Sequence, residues 1–454
     1  MQKIVKHLRS LWSGALLSIL FALTHLFRLD HHGFWIDELH TFGSIAGTFR
    51  ELVANRLAAG HIPTYFILMQ AWTWVAGISE WSLRFPSVLA ASLAFFAFFL
   101  LVREFLPGTR AYVIALVLFF FHPFLLWASH DARMYALVAA LSILAAHQLL
   151  RYLRDGRGTQ LAGYAVVCAI GLSIHMLFLL QVAAHLVFTA CHFGHRLKGY
   201  LAALVPPLAV LGPLALLTAS RSTAYKPALR LRFPDVTLVI RKTSILVFTD
   251  FDQDLASAQP HFQALARGLS LAFFVWIVIM GIRKLRRTKE AGPEGDLLRF
   301  SFYWMGIPAL LLLVSLVFNN TWVNAPRYYI PGLGAVVVVS ALALDETARN
   351  RWGRLAGVVF AAFFALAIGV QLAWRGPGIR EALQFVKRQS QPGDGIVFCH
   401  SGALTYAFAL YGCEGYPMLP VDRKDHDAPA LRKRVQDFAQ GRRRLWIVLH
   451  NPQH

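Results

Sequence analysis

The sequence predicts an all-α polytopic membrane protein carrying a small α/β segment at its C-terminal end, and three observations predict it. The first is composition: 57% of the 454 residues are hydrophobic and 15% are charged, where a soluble chain carries about a quarter charged residues. The second is that the apolar residues fall in runs approaching the roughly 20 needed to cross a bilayer. The third is a change beyond Arg375, where the long runs stop and short helical and strand-like stretches alternate.

The formal charge of +20 does not point to nucleic acid. Lys and Arg gather in short loops between apolar runs, as cytoplasmic loops facing anionic headgroups do. The expected partners are therefore membrane lipids, with no nucleic acid, and the expected location is the cell (inner or plasma) membrane.

Taken in order, Lys3, Lys6 and Arg9 precede the apolar run Leu11–Phe27. No small-residue cleavage site follows it, so this is an uncleaved first span with the N-terminus cytoplasmic. Next come Phe34-Trp35-Ile36-Asp37-Glu38. Two adjacent carboxylates at a membrane edge are costly to desolvate and call for a function. From Glu38 to about Leu57 the apolar residues Leu39, Phe42, Ile45, Ala46, Phe49, Leu52, Val53 and Leu57 keep a helical period, which predicts one helix lying in the interface.

Pro63–Ile78 is short, aromatic and contains Gln70. If it crossed, every basic short loop would move outside, so loop charge keeps it at the surface. The remaining spans are Arg84–Val102, Ala111–Trp127, Tyr135–Leu150, Leu161–Ile174, Leu177–Phe193, Tyr200–Ala219, Phe262–Ile282, Phe300–Phe318, Tyr329–Leu344 and Leu355–Trp374. The total is about eleven spans. The basic loops Arg151–Arg157, His195–Lys198, Arg283–Lys289 and Arg349–Arg354 then lie inside. A long outer loop from Ser220 to about Pro260 carries Arg221, Lys226, Arg230, Arg232, Arg241 and Lys242.

Residues 1–375 thus form the membrane domain and residues 376–454 an extracytoplasmic α/β domain. The latter reads as a helix Ile379–Arg388, an apolar Ile396–Cys399, a helix Ala428–Ala439 and an apolar Leu445–Leu449. Cys168 and Cys191 sit in apolar runs as small hydrophobes. Cys399 and Cys413 could pair if that region is extracytoplasmic. No CxxC or His-rich metal spacing occurs.

With this topology the polar residues at span ends share one face: Asp37, Glu38 and His61, then Asp131 and Arg133, then His175, then Asn319, Asn320, Asn324, Arg327 and Tyr328. Carboxylates, imidazoles and guanidiniums at one membrane face are what transfer chemistry on a lipid-anchored substrate requires.

Four stretches carry a family resemblance. They are Phe34-Trp35-Ile36-Asp37-Glu38; Gly60-His61-Ile62-Pro63-Thr64-Tyr65 through Trp72 to Ser79-Glu80-Trp81-Ser82-Leu83-Arg84; Ser129-His130-Asp131-Ala132-Arg133-Met134-Tyr135-Ala136-Leu137; and Arg327-Tyr328-Tyr329-Ile330-Pro331. In their order the chain resembles the GT-C membrane glycosyltransferases that use polyprenyl-phosphate sugars, and within them the protein O-mannosyltransferase and lipid A aminoarabinose transferase group. Two departures stand out. Gly60 and Ile62-Pro63 replace an acidic residue and a double proline, and His130-Asp131 replaces Gln-Glu.

The resemblance implies transfer of a sugar from a polyprenyl-phosphate donor to an acceptor hydroxyl on lipid, glycan or protein at the outer face. A single displacement inverts the anomeric centre, through an oxocarbenium-like state that needs a base at the acceptor hydroxyl. Asp37 takes that role or caps the following helix, and Glu38 stands between the same alternatives. Asp131, one turn from Tyr135, orients the acceptor, holds a divalent cation (Mg or Mn) with Asp37, or pairs with Arg133. Arg327 stabilises the leaving phosphate or anchors to headgroups. His61, Arg133, Tyr135, His175 and Tyr328 complete the substrate-binding set. The rival class is a transporter or flippase of lipid-linked sugars, which would show repeats and broken helices near the midplane.

Overall fold

The computed structural model describes residues 7–176, 178–222, 247–248, 260–288, 292–317, 326–373, 378–400, 403–413, 415–422 and 428–449. Most of the expected outer loop (Lys226, Arg230, Arg232, Arg241, Lys242) and Asn319, Asn320 and Asn324 lie outside them.

Every expected span coincides with a helix or a bent pair of helices. In chain order these are α1 (Leu11–His25), then, after three shorter helices, α5 (Glu80–Phe105), the pair α6 (Thr109–Phe120) and α7 (Pro123–Ser129), α8 (Tyr135–Asp155), α9 (Gly158–Ile174), α10 (Phe178–His192), α11 (Leu197–Arg221), α12 (Pro260–Arg287), α13 (Pro293–Val317), α14 (Leu333–Thr347) and α15 (Arg351–Ala373). Among the described residues six helices are long and apolar enough to cross a bilayer, and the α6–α7 pair makes a seventh. Three more, α1, α9 and α10, are apolar but shorter. The protein is a multi-pass helical membrane protein.

The 41° bend between α6 and α7 has a local cause. Pro123 opens α7 without an amide donor, and the His122 side chain accepts from the Phe124 amide instead. α14 is buried on all sides from Leu333 to Ala343, which suits a helix whose residues there are, Ser340 apart, hydrophobic or glycine. α1 approaches α5 closely because Gly14 has no side chain: a Cβ there would lie 2.4 Å from the Phe99 ring.

A polar chain ties four helices, α8 to α11. Gln181 donates to the Ser142 carbonyl (2.7 Å) and to His185 Nε2 (3.3 Å). His185 therefore carries its proton on Nδ1 and donates to Tyr164 (3.1 Å), Tyr164 donates to Tyr200 (3.0 Å), and Tyr200 donates to the Val182 carbonyl (2.9 Å). All four side chains concerned are buried, where an unmade hydrogen bond is expensive.

The helices between α1 and α5 are α2 (Ile36–Ile45), α3 (Phe49–Ala58) and α4 (Thr64–Ala76). The single interfacial helix expected from Glu38 to Leu57 is thus two. The Thr48 amide and hydroxyl both donate to Glu51 Oε2 (2.8 Å each), and the Glu51 amide donates back to Thr48 Oγ1 (3.3 Å). That is a capping box, and it starts a new helix inside an unbroken apolar period. α4 is 13 residues, about 20 Å, and is not among the helices that meet the crossing criteria. Its Gln70 donates to the Ile45 (3.2 Å) and Gly47 (2.8 Å) carbonyls, closing the end of α2.

Residue contacts divide the chain into two compact units. The first holds the described residues of Met1–Phe27, Arg56–Tyr65 and Phe85–Ala373; the second holds Arg28–Asn55, Phe66–Arg84 and the described residues of Trp374–His454. The C-terminal segment therefore clusters with the first loop and the α4–α5 turn.

In that segment α16 (Ile379–Gln389), β1 (Gly395–His400), α17 (Ala403–Leu410), β2 (Met418–Asp422), α18 (Ala428–Ala439) and β3 (Leu445–Leu449) follow in order. The sheet is parallel, ordered β2-β1-β3, with Ile396 opposite Met418 and Trp446. Parallel neighbours need crossovers, and α17 and α18 supply them. Cys413 is a free buried thiol whose Sγ donates to the Leu383 carbonyl (3.7 Å). The disulfide with Cys399 is therefore not formed.

Candidate functional site

The acidic pair sits in the second unit. Trp35 caps α2, which puts Asp37 and Glu38 in its first turn, where the helix dipole favours negative charge. The two neighbours then part company. Glu38 is fully buried, and its oxygens accept from Arg84 Nε and Nη2 at 2.7 Å each. Glu38 Oε2 also accepts from the Trp35 amide (3.2 Å). Asp37 is half-buried, and its backbone carbonyl accepts from the Thr41 hydroxyl (3.3 Å).

The loop before the pair is held through its main chain. Arg84 donates to the carbonyls of Leu29 (2.9 Å), His32 (3.0 Å) and Gly33 (3.3 Å), and stacks over Phe34 at 5.0 Å. Arg380, on α16, donates to those of Asp30 and His31 (2.9 Å each) and pairs with Glu80. Two guanidiniums thus take five consecutive carbonyls. The Phe34 amide donates to the Tyr411 oxygen (2.9 Å), and Tyr411 donates to Glu80 Oε1 (2.7 Å). Burial, followed by the Glu80 carboxylate, pushes the Tyr411 phenol above its usual value, so it keeps its donor proton.

In the first unit, α3 ends in a Schellman motif. The Gly60 amide donates to Leu57 O (2.9 Å) and the His61 amide to Arg56 O (2.8 Å), with Gly60 at φ 76°. The backbone demands glycine where the resembled families have an acidic residue. His61 is half-buried.

The turn containing Asp131 is pinned from two sides. Ser87 donates to the Asp131 (2.6 Å) and Arg133 (3.3 Å) carbonyls, and His130 Nε2 donates to the His25 carbonyl (2.9 Å). Within it the Arg133 amide donates to Asp131 O (2.7 Å). Asp131 and Arg133 are both buried.

Five predicted residues form one cluster. The Arg133 and Arg327 guanidiniums each lie 6.0 Å from the Tyr135 ring, and Arg327 lies 5.5 Å from the Tyr328 ring. The His175 ring is 6.4 Å from Tyr135 and 5.8 Å from Tyr328. Burial first, then Arg133 and Arg327, push the His175 imidazole down to about 4. It is neutral at pH 7, so the two arginines carry the positive charge of the cluster. This arrangement can receive a phosphate.

Over 90% of this chain, the structure superimposes on the crystal structure of ArnT from Cupriavidus metallidurans bound to undecaprenyl phosphate, covering 86% of that chain at a TM-score of 0.54 and 15% identity. The apo crystal structure of ArnT matches over the same shares at a TM-score of 0.55 and 14% identity. The chain has the fold of ArnT. Residues 60–218 also match the sequence profile of the dolichyl-phosphate-mannose-protein mannosyltransferase family. That stretch includes His61, Asp131, Arg133, Tyr135 and His175. No curated protein matches by sequence.

Within this ArnT-like fold, four residues escaped the sequence reading as site residues: Arg84, Glu80, Arg380 and Tyr411. Arg84 and Glu80 lie inside Ser79-Glu80-Trp81-Ser82-Leu83-Arg84, and an arginine at the head of an apolar helix was signal enough that a carboxylate partner existed. Arg380 and Tyr411 had none, because the loop backbone groups they hold lie more than 300 positions away.

Proposed function

We propose that the protein is a membrane glycosyltransferase that moves a sugar from a polyprenyl-phosphate donor to an acceptor hydroxyl, with inversion, at the extracytoplasmic face of the cell membrane. The observation that carries it is the cluster of Arg133, Arg327, Tyr135, Tyr328 and neutral His175, in a fold shared with a protein crystallised with undecaprenyl phosphate.

In this proposal the acceptor oxygen attacks the anomeric carbon while the bond from that carbon to the phosphate oxygen breaks. Asp37 takes the hydroxyl proton. The lipid phosphate leaves with the bonding electron pair and one more unit of negative charge, which the two guanidiniums stabilise more strongly than they do the intact donor. Glu38 is fully engaged by Arg84 and the Trp35 amide, which supports a structural role for it and leaves the base to Asp37. Asp131 orients the acceptor.

A divalent cation is a poor fit beside Asp131, since the cationic Arg133 stands two residues away in the same turn. Among the described residues no group of three or more His, Cys, Asp or Glu converges. No step here is routed through a metal.

The test is binding of polyprenyl phosphate to the purified protein in nanodiscs, comparing wild type with Arg133→Met and Arg327→Met. Loss of roughly 10-fold or more in affinity in each variant is expected, since a charge-assisted hydrogen bond contributes about 1.5–3 kcal/mol. Equal affinity in all three proteins would refute the phosphate site.

A further inference from the structure

The C-terminal α/β segment meets the first loop through its main chain. Arg380 at the start of α16 donates to the carbonyls of Asp30 and His31. Tyr411, just past α17, accepts from the Phe34 amide and donates to Glu80, which also pairs with Arg380. The approach leaves no room: a Cβ on Gly33 would lie 2.5 Å from Arg380 Cβ and 3.2 Å from its backbone nitrogen. α17 packs on α2 as well, with the Tyr406 ring 2.4 Å from where a Cβ on Gly43 would sit. Every one of these contacts falls within the second unit.

We infer that the C-terminal segment is a positioning element for the catalytic loop: Tyr411 and Arg380, joined through Glu80, fix residues 30–34 and thereby the first turn of α2 that presents Asp37. This rests on the assignment of Asp37 as the base. The physical reason is that residues 29–34 form no regular secondary structure, so their backbone groups need side-chain partners to be fixed in one conformation. Arg84 supplies part of that set and the C-terminal segment the rest. Such placement matters because a misplacement of about 1 Å can cost roughly 100-fold in rate. Tyr411 and Arg380 act through the loop, as positioning residues.

The experiment uses full-length protein in nanodiscs and two variants. Tyr411→Phe removes the acceptor of the Phe34 amide. Gly33→Ala keeps every polar group and forces α16 away from the loop. Amide hydrogen exchange at Phe34 is measured together with kcat and KM for a polyprenyl-phosphate sugar. The expected result is exchange faster by roughly 3- to 10-fold in Tyr411→Phe, matching one hydrogen bond, with kcat lower by roughly 10- to 100-fold and donor KM unchanged. Gly33→Ala should act in the same direction.

Unchanged exchange at Phe34, or faster exchange with unchanged kcat, overturns the inference. So does a rise in KM alone. Wild-type protein that transfers no sugar would instead remove the role of Asp37, and exchange at Phe34 would still decide whether the C-terminal segment holds the loop.

Discussion

Replacing Arg84 with leucine removes one partner of an ion pair whose side chains are both 0% exposed. The Glu38 carboxylate would lose two 2.7 Å hydrogen bonds with no water to replace them. Breaking a buried pair from one side costs about 3–5 kcal/mol. The carbonyls of Leu29, His32 and Gly33 lose their donor as well, so the upper part of that range is expected. On the usual scale of about 2 °C per kcal/mol for larger chains, this is a fall of roughly 8–10 °C in the unfolding midpoint. Glu38→Gln should fall by a similar amount, because it leaves the guanidinium without its counter-charge. The double variant should cost less than the sum of the singles by about 1–3 kcal/mol. Thermal unfolding in nanodiscs, followed by intrinsic fluorescence, reads all three. Strictly additive losses, or an Arg84→Leu midpoint within 1 °C of wild type, would refute a buried, coupled pair.

Three further outcomes are expected. Gln70→Leu leaves the Ile45 and Gly47 carbonyls without their side-chain donor and should destabilise by about 1–3 kcal/mol, visible as faster hydrogen exchange at the end of α2. His175, held down to about 4 by burial and two arginines, binds fewer protons folded than unfolded between that value and about 6.5. Its contribution to stability is therefore intact at pH 7 and erodes as pH falls below 6.5 toward 4. Bound polyprenyl phosphate offsets the two positive charges and should raise the His175 pKa, measured by imidazole NMR titration; a pKa unmoved by the ligand would argue against the phosphate lying there.

The apolar helices were legible in the sequence because an apolar run approaching bilayer length has few other uses. Each of the expected runs became a helix, and the α6–α7 break announced itself only through His122-Pro123. Less legible was the pause between α2 and α3. Hydrophobic period carries no record of a capping box, and Thr48 and Glu51 looked like ordinary polar residues of one helix. The split between Asp37 and Glu38 was legible as a question: adjacent residues on a helix point in different directions, but which one faced an arginine depended on Arg84, 46 positions on. The grouping of the C-terminal segment with the first loop was invisible, since it rests on Arg380 and Tyr411 meeting backbone atoms, and backbone atoms have no sequence signature.

In the proposed reaction Asp37 removes the acceptor proton while Glu38 serves only the structure. This division of roles is tested most directly by sugar transfer from a radiolabelled polyprenyl-phosphate donor to a cell-envelope extract, with wild type and Asp37→Asn matched for unfolding midpoint. Asp37→Asn should keep donor binding and lose roughly 100-fold or more in transfer rate, in line with removal of a general base. Equal transfer by the two proteins would contradict it, and passage of the sugar lipid across the bilayer without transfer would replace the enzyme with a flippase.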